Sequence, residues 1–288
     1  MSLTTFLKNR DVKEGFARQL PKPRFSLKRE ILAPPITKHH SLVGTAFDYL
    51  MRFYLKHLNP GAITKRWVAE LSISHPLSPL LKNVVIDATT HEVIGFTETE
   101  YTIKAKCIIE KSKMVYSNYL ASGEVTDEVI ESALLLAQLD PIFRAGFIDE
   151  NIGTIDEGDV ADLRNLISIV NPEAFRAQDL CMLNPTFGEG SRLVGGADAD
   201  LLIDDALIDI KTTKSLKLSR DYFNQLIGYY VLFKIGGVDN APFVSRIKRI
   251  GIYYSRHGEL YTIPIRTVLN EERLPLFIEW FRERAAGG

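Results

Sequence analysis

Residues 195–213 read GGADADLLIDDALIDIKTT, and the pattern of this stretch decides the fold. Two segments with the composition of β-strands, Leu193–Ile203 and Ala206–Thr212, lie on either side of the pair Asp204-Asp205. Two polar residues between apolar runs are typical of a tight hairpin turn. The sequence therefore predicts an antiparallel hairpin that turns at these two aspartates.

The register of this hairpin brings four charged side chains together. Counting back from the turn sets Asp200 opposite Asp209, and Asp198 opposite Lys211. Because side chains alternate along a strand, all four emerge on one face of the sheet. Directly opposed Cβ atoms in such a pair lie roughly 5 Å apart. The register therefore predicts two acidic side chains at contact distance with a lysine beside them.

This combination of charges suits a particular chemistry. Two carboxylates that lie so close repel each other unless a cation sits between them, and hard oxygen ligands suit Mg²⁺ or Mn²⁺. A bound metal activates water and neutralises charge on a phosphate, while a neighbouring lysine steadies the transition state. The pattern therefore favours a site for phosphodiester hydrolysis formed by Asp200, Asp209 and Lys211.

Three alternatives stay open at this point. Acidic residues at every second position also suit a solvated sheet face that has no ligand. A calcium-binding loop fits less well, because Leu202 and Ile203 occupy positions that require a ligand and a glycine. A three-residue turn would shift the pairing, which would make Asp198 the alternate to Asp200 or an auxiliary metal ligand.

A helix is predicted directly after the second strand of the hairpin. Ser219 is a suitable N-cap for this helix, and Gly236-Gly237 is a suitable end. Gln225 and Tyr229 are four residues apart, so they share one face of the helix. A plain helix face over the sheet is the alternative interpretation of these two residues.

In this order the motifs resemble the RecB-like branch of the PD-(D/E)XK nuclease superfamily. That branch has a glycine-led aspartate on one strand, an acidic residue, any residue and lysine on the next, and Gln-x-x-x-Tyr on the following helix. This chain supplies Gly196–Asp200, Asp209–Lys211 and Gln225–Tyr229. The resemblance covers residues 181–255 and implies a restriction-endonuclease-like core, which is a mixed sheet flanked by helices.

The resemblance also implies a role for each residue of the motifs. Asp200 and Asp209 would bind Mg²⁺ or Mn²⁺ through their carboxylates, and Ile210 would bind it through its backbone carbonyl. Lys211 would act at the attacked phosphate. The helix residues of the motif, which would shape the site or contact the DNA strand, are Gln225 and Tyr229.

Three features depart from the family pattern. The family has Gly, three residues and His on an upstream helix, whereas in this chain Gly44 is followed by Asp48, which is either a further metal ligand or an ordinary surface acid. Ala199 stands where the family has a proline before the first acid. The only cysteines are Cys107 and Cys181, so no iron–sulfur cluster is expected.

The distribution of charge limits where a nucleic acid can bind. The net charge is −1, so any basic surface must be local. Lys214, Lys217 and Arg220 lie between the second strand and its helix. We expect these three side chains to contact DNA phosphates, and a solvated loop is the alternative interpretation.

Composition places the chain among ordinary globular proteins. Of the 288 residues, 45% are hydrophobic and 25% are charged. No segment resembles a signal peptide or reaches the roughly 18 apolar residues of a membrane span, so a reduced cytoplasmic protein is expected.

Residues 1–180 are predicted to be a mostly helical elaboration and residues 181–288 to be the α/β core, with one compact domain overall. The elaboration begins with an irregular arm over residues 1–40 that contains at most one short helix. One further helix is predicted to begin at Thr97, and another is predicted to begin at Val129 and to stop before Pro141. In the core, a strand at Ile247–Ser255 is predicted to pair with its successor at Leu260–Ile265.

The sequence-based hypothesis is therefore a Mg²⁺- or Mn²⁺-dependent deoxyribonuclease. Its expected partners are DNA and other proteins of a DNA-processing complex. The rival hypothesis is a DNA-binding subunit that kept the nuclease fold and lost efficient cleavage. The complete set of two aspartates and a lysine argues against the rival, whereas the near-neutral charge and the missing histidine favour it.

Overall fold

The structure, a computed structural model of the chain, describes residues 2–74, 84–86, 93–96, 100–149, 151–241, 243–244 and 246–287. The chain divides into two compact units. The first comprises residues 1–32, 61–65 and 171–288, and the second comprises residues 33–60 and 66–170. This division differs from the boundary at residue 180 that the sequence suggested, because two N-terminal segments belong with the C-terminal part.

Helices and short strands make up the regular structure of the described residues. The helices are α1 (Leu3–Phe6), α2 (Arg10–Gln19), α3 (His40–Leu58), α4 (Val68–Ser74), α5 (Glu100–Ser122), α6 (Asp127–Ala145), α7 (Glu157–Ser168), α8 (Gly188–Leu193), α9 (Arg220–Gly236) and α10 (Leu274–Ala286). The strands are β1 (Val84–Ile86), β2 (Val93–Phe96), β3 (Cys181–Leu183), β4 (Leu201–Ile203), β5 (Ala206–Lys211), β6 (Arg249–Tyr254) and β7 (Glu259–Pro264).

The first unit contains a five-stranded mixed sheet with the spatial order β3-β4-β5-β6-β7. Neighbouring strands are antiparallel except for β5 and β6, which are parallel. A parallel pair needs a crossover connection, and α9 provides it. The predicted α/β class with a mixed sheet and helices is confirmed, and the strand predicted at Ile247–Ser255 pairs with its successor as expected.

The hairpin register that the sequence predicted is confirmed for the three pairs nearest the turn, whereas Asp198 forms a β-bridge with Thr186 and not the predicted pair with Lys211. Strands β4 and β5 pair Ile203 with Ala206 and Leu201 with Ile208 around a two-residue turn. Asp204 has a φ of 50°, which is the left-handed conformation that tight hairpin turns require and that aspartate tolerates. The turn therefore fixes which side chains of the two strands face each other.

Asp204 also anchors the hairpin to the chain that enters β3. Its carboxylate accepts hydrogen bonds from the backbone N–H groups of Asp179 at 2.8 Å, Leu180 at 3.0 Å and Gln178 at 3.2 Å. Burial opposes the charge, but these N–H groups and the nearby Arg249 outweigh it and lower the pKa of Asp204. The turn acid is thus a structural group that holds two chain segments together.

We expect Asp204→Asn to lower the free energy of unfolding by about 1–2 kcal/mol at neutral pH, because charge-assisted hydrogen bonds weaken when the acceptor becomes neutral. A lowered pKa stabilises the fold above the unfolded-state pKa near 4 and loses this effect as pH falls through the folded-state value. The difference in urea midpoint should therefore shrink below about pH 4.

The neighbouring turn acid provides a matched control for this prediction. Asp205 pairs with Arg249 at 2.7 Å and Lys248 at 3.3 Å, but both cations are about half exposed. Exposed ion pairs contribute roughly 0–1 kcal/mol, so Asp205→Asn should change the midpoint less. Equal losses in the two variants, or a loss at Asp204 that persists at pH 3, would contradict the anchoring role.

The strand predicted at Leu193–Ile203 is wrong over most of its length. Residues 188–193 form α8, and the chain reaches β4 only at Leu201. Gly195 and Gly196 have φ values of 76° and 126°, which break an extended strand. The hydroxyl of Ser191 donates to the Ala197 carbonyl and stabilises the irregular return. The prediction was wrong because apolar and acidic residues alternate in this segment by chance, without a strand.

The N-terminal arm was predicted to be irregular with at most one short helix, but it forms α1 and α2. Phe6 and Phe16 are fully buried in the core of the first unit. Both rings make edge-to-face contacts with Phe281 of α10, with centroids 5.0 and 6.2 Å apart. Tertiary burial of aromatic side chains therefore stabilises helices whose local sequence signal is weak.

Helix α9 covers the sheet face that carries the predicted site. The Ser219 side chain accepts a hydrogen bond from Tyr222 N–H, and Gly237, with a φ of 70°, ends the helix, so both predicted helix ends are confirmed. Leu226 and Ile227 are fully buried together with Leu207 of β5. Because α9 packs on β5, this contact determines which side chains of α9 lie near the ends of β4 and β5.

The second unit is built from helices α3 to α7 and the two-stranded β1-β2 sheet. Helix α6 was predicted to stop before Pro141, yet it continues to Ala145 and ends at Gly146, which has a φ of 66°. Proline removes one backbone donor from a helix and its ring crowds the carbonyl four residues earlier, and the burial of α6 residues such as Leu139 and Ile142 offsets this cost. The helix predicted from Thr97 begins at Glu100 in the structure, and Thr97 itself lies outside the described residues.

None of the helices in the described residues combines the length and the apolar composition that a membrane span needs.

Candidate active site

Asp200 and Asp209 meet where the ladder between β4 and β5 ends. The last ladder pair is Leu201 and Ile208, so the next opposed positions are the two aspartates. The N–H of Ile210 donates a hydrogen bond of 2.5 Å to Oδ2 of Asp200. The Asp200 side chain thus takes the place of a ladder carbonyl and is fixed against β5 beside Asp209.

Lys211 lies directly beside the second aspartate. Its Nζ is 2.6 Å from Oδ2 of Asp209, whose side chain is only 4% exposed. Burial opposes the charge of the lysine, but the carboxylates of Asp209 and Asp200 outweigh it and raise the pKa of Lys211. The lysine is therefore a fixed cation at neutral pH that faces both predicted metal ligands.

The α9 residues of the predicted motif extend this network. Nζ of Lys211 donates to Oε1 of Gln225 at 3.0 Å, and Nε2 of Gln225 donates to the Tyr229 hydroxyl at 2.9 Å. The ring of Tyr222 lies beneath the same ammonium, with its centroid at 5.2 Å. One glutamine amide therefore orients the lysine and connects it to a tyrosine one helical turn away.

Tyr229 lies in an unusually acidic environment. Burial, followed by the charges of Asp209, Asp200 and Asp198, raises its pKa well above the ordinary value. The phenol therefore stays neutral across the physiological range. The three acids that the sequence placed on one strand face all act on this one side chain, so the structure brings them together.

A second lysine near this site was not found from the sequence. The ammonium of Lys65 donates to the Thr186 hydroxyl, which donates to the carboxylate of Asp239. Thr186 also forms a β-bridge with Asp198. Burial lowers the pKa of Lys65, while Asp239 and Asp198 oppose that effect. No local motif could have indicated Lys65, because its partners lie more than a hundred residues away in the sequence.

Asp48, the proposed counterpart of the family histidine, lies on α3 in the second unit. Its Oδ2 accepts a hydrogen bond of 2.6 Å from Arg52, one turn further along the helix. Its Oδ1 is buried and has no hydrogen-bond partner among the residues that the structure describes. A buried carboxylate oxygen in this state is unusual for an ordinary surface acid.

The basic run between β5 and α9 divides into two kinds of residue. Lys214 and Lys217 are exposed. Arg220 is half-buried, and its guanidinium donates a hydrogen bond of 2.8 Å to the carbonyl of Leu20, at the end of α2, and lies 5.7 Å from the Phe223 ring centroid. Arg220 therefore has a structural partner that the sequence did not reveal.

The donor set can be compared with the needs of a divalent cation. Within the described ranges, no three His, Cys, Asp or Glu side chains form a metal-binding group. The carboxylates of Asp200 and Asp209 are still available as oxygen ligands. The backbone carbonyl of Ile210 points to the same side of β5 as its N–H group. Mg²⁺ characteristically keeps several waters and binds through one or two carboxylates, so these oxygens fit such an ion.

Comparison of the chain with protein-family models, with curated proteins and with solved structures finds no match.

Proposed function

We propose that this chain is a Mg²⁺- or Mn²⁺-dependent nuclease that hydrolyses phosphodiester bonds in DNA. Its core would be of the PD-(D/E)XK type, with motifs that resemble those of the RecB-like branch. The observation that carries the proposal is the convergence of Asp200, Asp209 and Lys211 with Gln225 of α9. At the end of the β4–β5 hairpin, Asp200 accepts a hydrogen bond of 2.5 Å from Ile210 N–H, and Lys211 contacts Asp209 at 2.6 Å and Gln225 at 3.0 Å.

In this proposal Asp200, Asp209 and the Ile210 carbonyl hold the metal. A bound divalent ion supplies an activated water and neutralises charge that develops on the phosphate. The hydrogen bond from Ile210 N–H restrains one oxygen of Asp200, which pre-orients the carboxylate before any ligand binds. The two carboxylates outnumber the single lysine that faces them, so the site retains negative charge that favours a cation.

In this proposal Lys211 supplies a positive charge and does not act as a general base. The carboxylates of Asp209 and Asp200 outweigh burial and raise the pKa of this amine, so both aspartates favour its protonated form. A preorganised ammonium instead stabilises the charge that grows on the phosphate during attack. Gln225 holds this ammonium in place, and Tyr229 remains a neutral hydroxyl that accepts the glutamine N–H.

Cleavage assays with the purified full chain test the proposal. The substrates would be labelled single-stranded and duplex DNA, each with Mg²⁺, Mn²⁺, Ca²⁺ or a chelator. We expect cleavage with Mg²⁺ or Mn²⁺ and none with the chelator. Cleavage that persists in the chelator would contradict a metal-dependent mechanism, and absence of cleavage with every metal and DNA form would favour the alternative below.

The alternative function is a DNA-binding subunit with little or no cleavage. One observation favours it: Lys211 already lies 2.6 Å from Asp209, so the buried acid has a cation without any metal. In a binding subunit this ion pair would be purely structural. Tight DNA binding that needs no metal, together with no cleavage, would support this alternative over the nuclease.

We expect Gln225→Leu to lower single-turnover cleavage by about 10- to 100-fold, as is typical when a partner that orients an active group is lost. The substitution keeps the side-chain size but removes both hydrogen bonds. DNA affinity should stay unchanged, because the glutamine acts through Lys211 and not on the substrate in this account. The measurement is the cleavage rate at saturating protein beside a binding titration.

The exposed Asp221 on the first turn of α9 provides the matched control, since Asp221→Ala changes the same helix away from the site. If both α9 variants lowered the rate equally, or if Gln225→Leu weakened DNA binding and left the rate intact, Gln225 would not be a positioning residue.

A further inference from the structure

The segment that follows α2 has an alternating exposure that resembles a strand, although it pairs with no strand of the described sheet. Pro23, Phe25 and Leu27 are partly buried. Between them Arg24 and Ser26 are exposed, and exposed basic residues continue the pattern on either side: Lys22 and Lys28. An extended chain with this alternation presents a row of positive charges to solvent.

Specific contacts hold this segment beside the loop that connects β5 to α9. The Phe25 ring packs edge-on against Tyr261, with centroids 4.9 Å apart, and tilts against Tyr254 at 5.9 Å. Nζ of Lys22 donates to the Leu218 carbonyl at 2.6 Å, and the Tyr254 hydroxyl donates to the Lys217 carbonyl at 2.9 Å. The N-terminal segment and the loop therefore form one continuous surface.

Four cations on this surface have no neutralising partner. Arg24, Lys28, Lys214 and Lys217 are exposed, and none of them has a carboxylate partner in the part of the chain that the structure describes. Nearby cations do have one, as Arg29 does with Glu259 at 3.1 Å. In a chain of net charge −1, four unneutralised cations on two adjoining segments are a local concentration of positive charge.

We propose that Arg24, Lys28, Lys214 and Lys217, which we call the basic track, bind successive phosphates of DNA and guide the strand to the candidate active site. The inference rests on the proposed function, which makes DNA the substrate. Lys214 is three residues from Lys211, so their Cα atoms are at most about 11 Å apart. Arg220, which the sequence suggested as a phosphate ligand, also anchors the segment through Leu20.

Salt-dependent binding tests the track. The probes are a labelled duplex and a single strand of the same sequence, measured by fluorescence anisotropy with metal chelated so that no cleavage occurs. Each lost phosphate contact reduces the slope of log affinity against log salt by about 0.9 for duplex and about 0.7 for single strands. The variant with glutamine at all four track positions should therefore lose a slope of about 2–4.

Double variants divide the effect between the two segments. Arg24→Gln with Lys28→Gln, and Lys214→Gln with Lys217→Gln, should each lose about half of the slope. The matched control is Lys234→Gln with Arg282→Gln, which removes the same charge from exposed residues of α9 and α10 that line another cavity. The charge-retaining swap Arg24→Lys with Lys28→Arg should keep the wild-type slope, and thermal melting checks that every variant is folded.

The outcomes separate this inference from the proposed function. Wild-type slope in the Arg24 and Lys28 glutamine variant, an equal loss in the control, or no DNA binding by the wild type would overturn the track. A slope that depends on the track in a protein that never cleaves DNA would support the track and count against the nuclease. DNA cleavage by a protein whose salt slope does not change in the track variants would support the nuclease and count against the track.

Discussion

Replacement of Lys211 by alanine is expected to lower single-turnover DNA cleavage by about 10²-fold or more while DNA and Mn²⁺ binding persist. The charge of a catalytic lysine matters most when the phosphate gains charge in the transition state, so its loss affects the rate more than ground-state binding.

Metal should also rescue the stability of this variant. Asp209 is nearly buried and loses its cation when Lys211 is removed, so the variant should melt at a lower temperature without metal. Mn²⁺ should restore most of the loss if the carboxylates bind it. Lys234→Ala, at an exposed position of α9, is the control and should change neither property. A folded Lys211→Ala protein with wild-type cleavage would remove the lysine from the mechanism.

Asp209→Asn is expected to weaken Mn²⁺ binding by about 10²-fold or more and to abolish detectable cleavage. Loss of a group that only supports a metal ligand costs about 10- to 100-fold in affinity, and loss of a ligand should cost at least as much. Asparagine keeps the size of the side chain and one oxygen, so the change isolates the charge. Isothermal titration calorimetry of the variant and the wild type measures the difference.

Asp221→Asn is the matched control for this experiment, because Asp221 is exposed and pairs with Lys13 of α2. The control should bind Mn²⁺ with wild-type affinity. Equal affinity in the wild type and Asp209→Asn would show that any metal binds elsewhere, and the carboxylate pair would then be a structural ion-pair site.

The hairpin and the helix after it could be predicted because their signals are local. A two-residue turn between apolar runs sets the register, and the register alone places Asp200 opposite Asp209. The N-cap at Ser219 and the spacing of Gln225 and Tyr229 are likewise encoded within a few residues. Short-range turn and capping chemistry therefore sufficed for the centre of the candidate site.

The remaining features depend on contacts between distant segments. The aromatic residues of α1 and α2 are buried against α10, which no local pattern reveals. Lys65 reaches Thr186, and Arg220 reaches Leu20, across long sequence separations. Residues 193–200 alternate like a strand, but two glycines with positive φ redirect the chain. Tertiary packing overrides the local preference at each of these places.

We propose that Asp200 and Asp209 bind a divalent ion at the hairpin end. The most direct test is a crystal of the full chain soaked in Mn²⁺ and measured at a wavelength where manganese scatters anomalously. We predict an anomalous peak from a Mn²⁺ ion bound by both carboxylates and the Ile210 carbonyl, at Mn–O distances of about 2.2 Å, similar to those of other small hard cations. The same soak of Asp209→Asn crystals should give no peak. A wild-type map without a peak there, in which Lys211 still pairs with Asp209, would contradict the account.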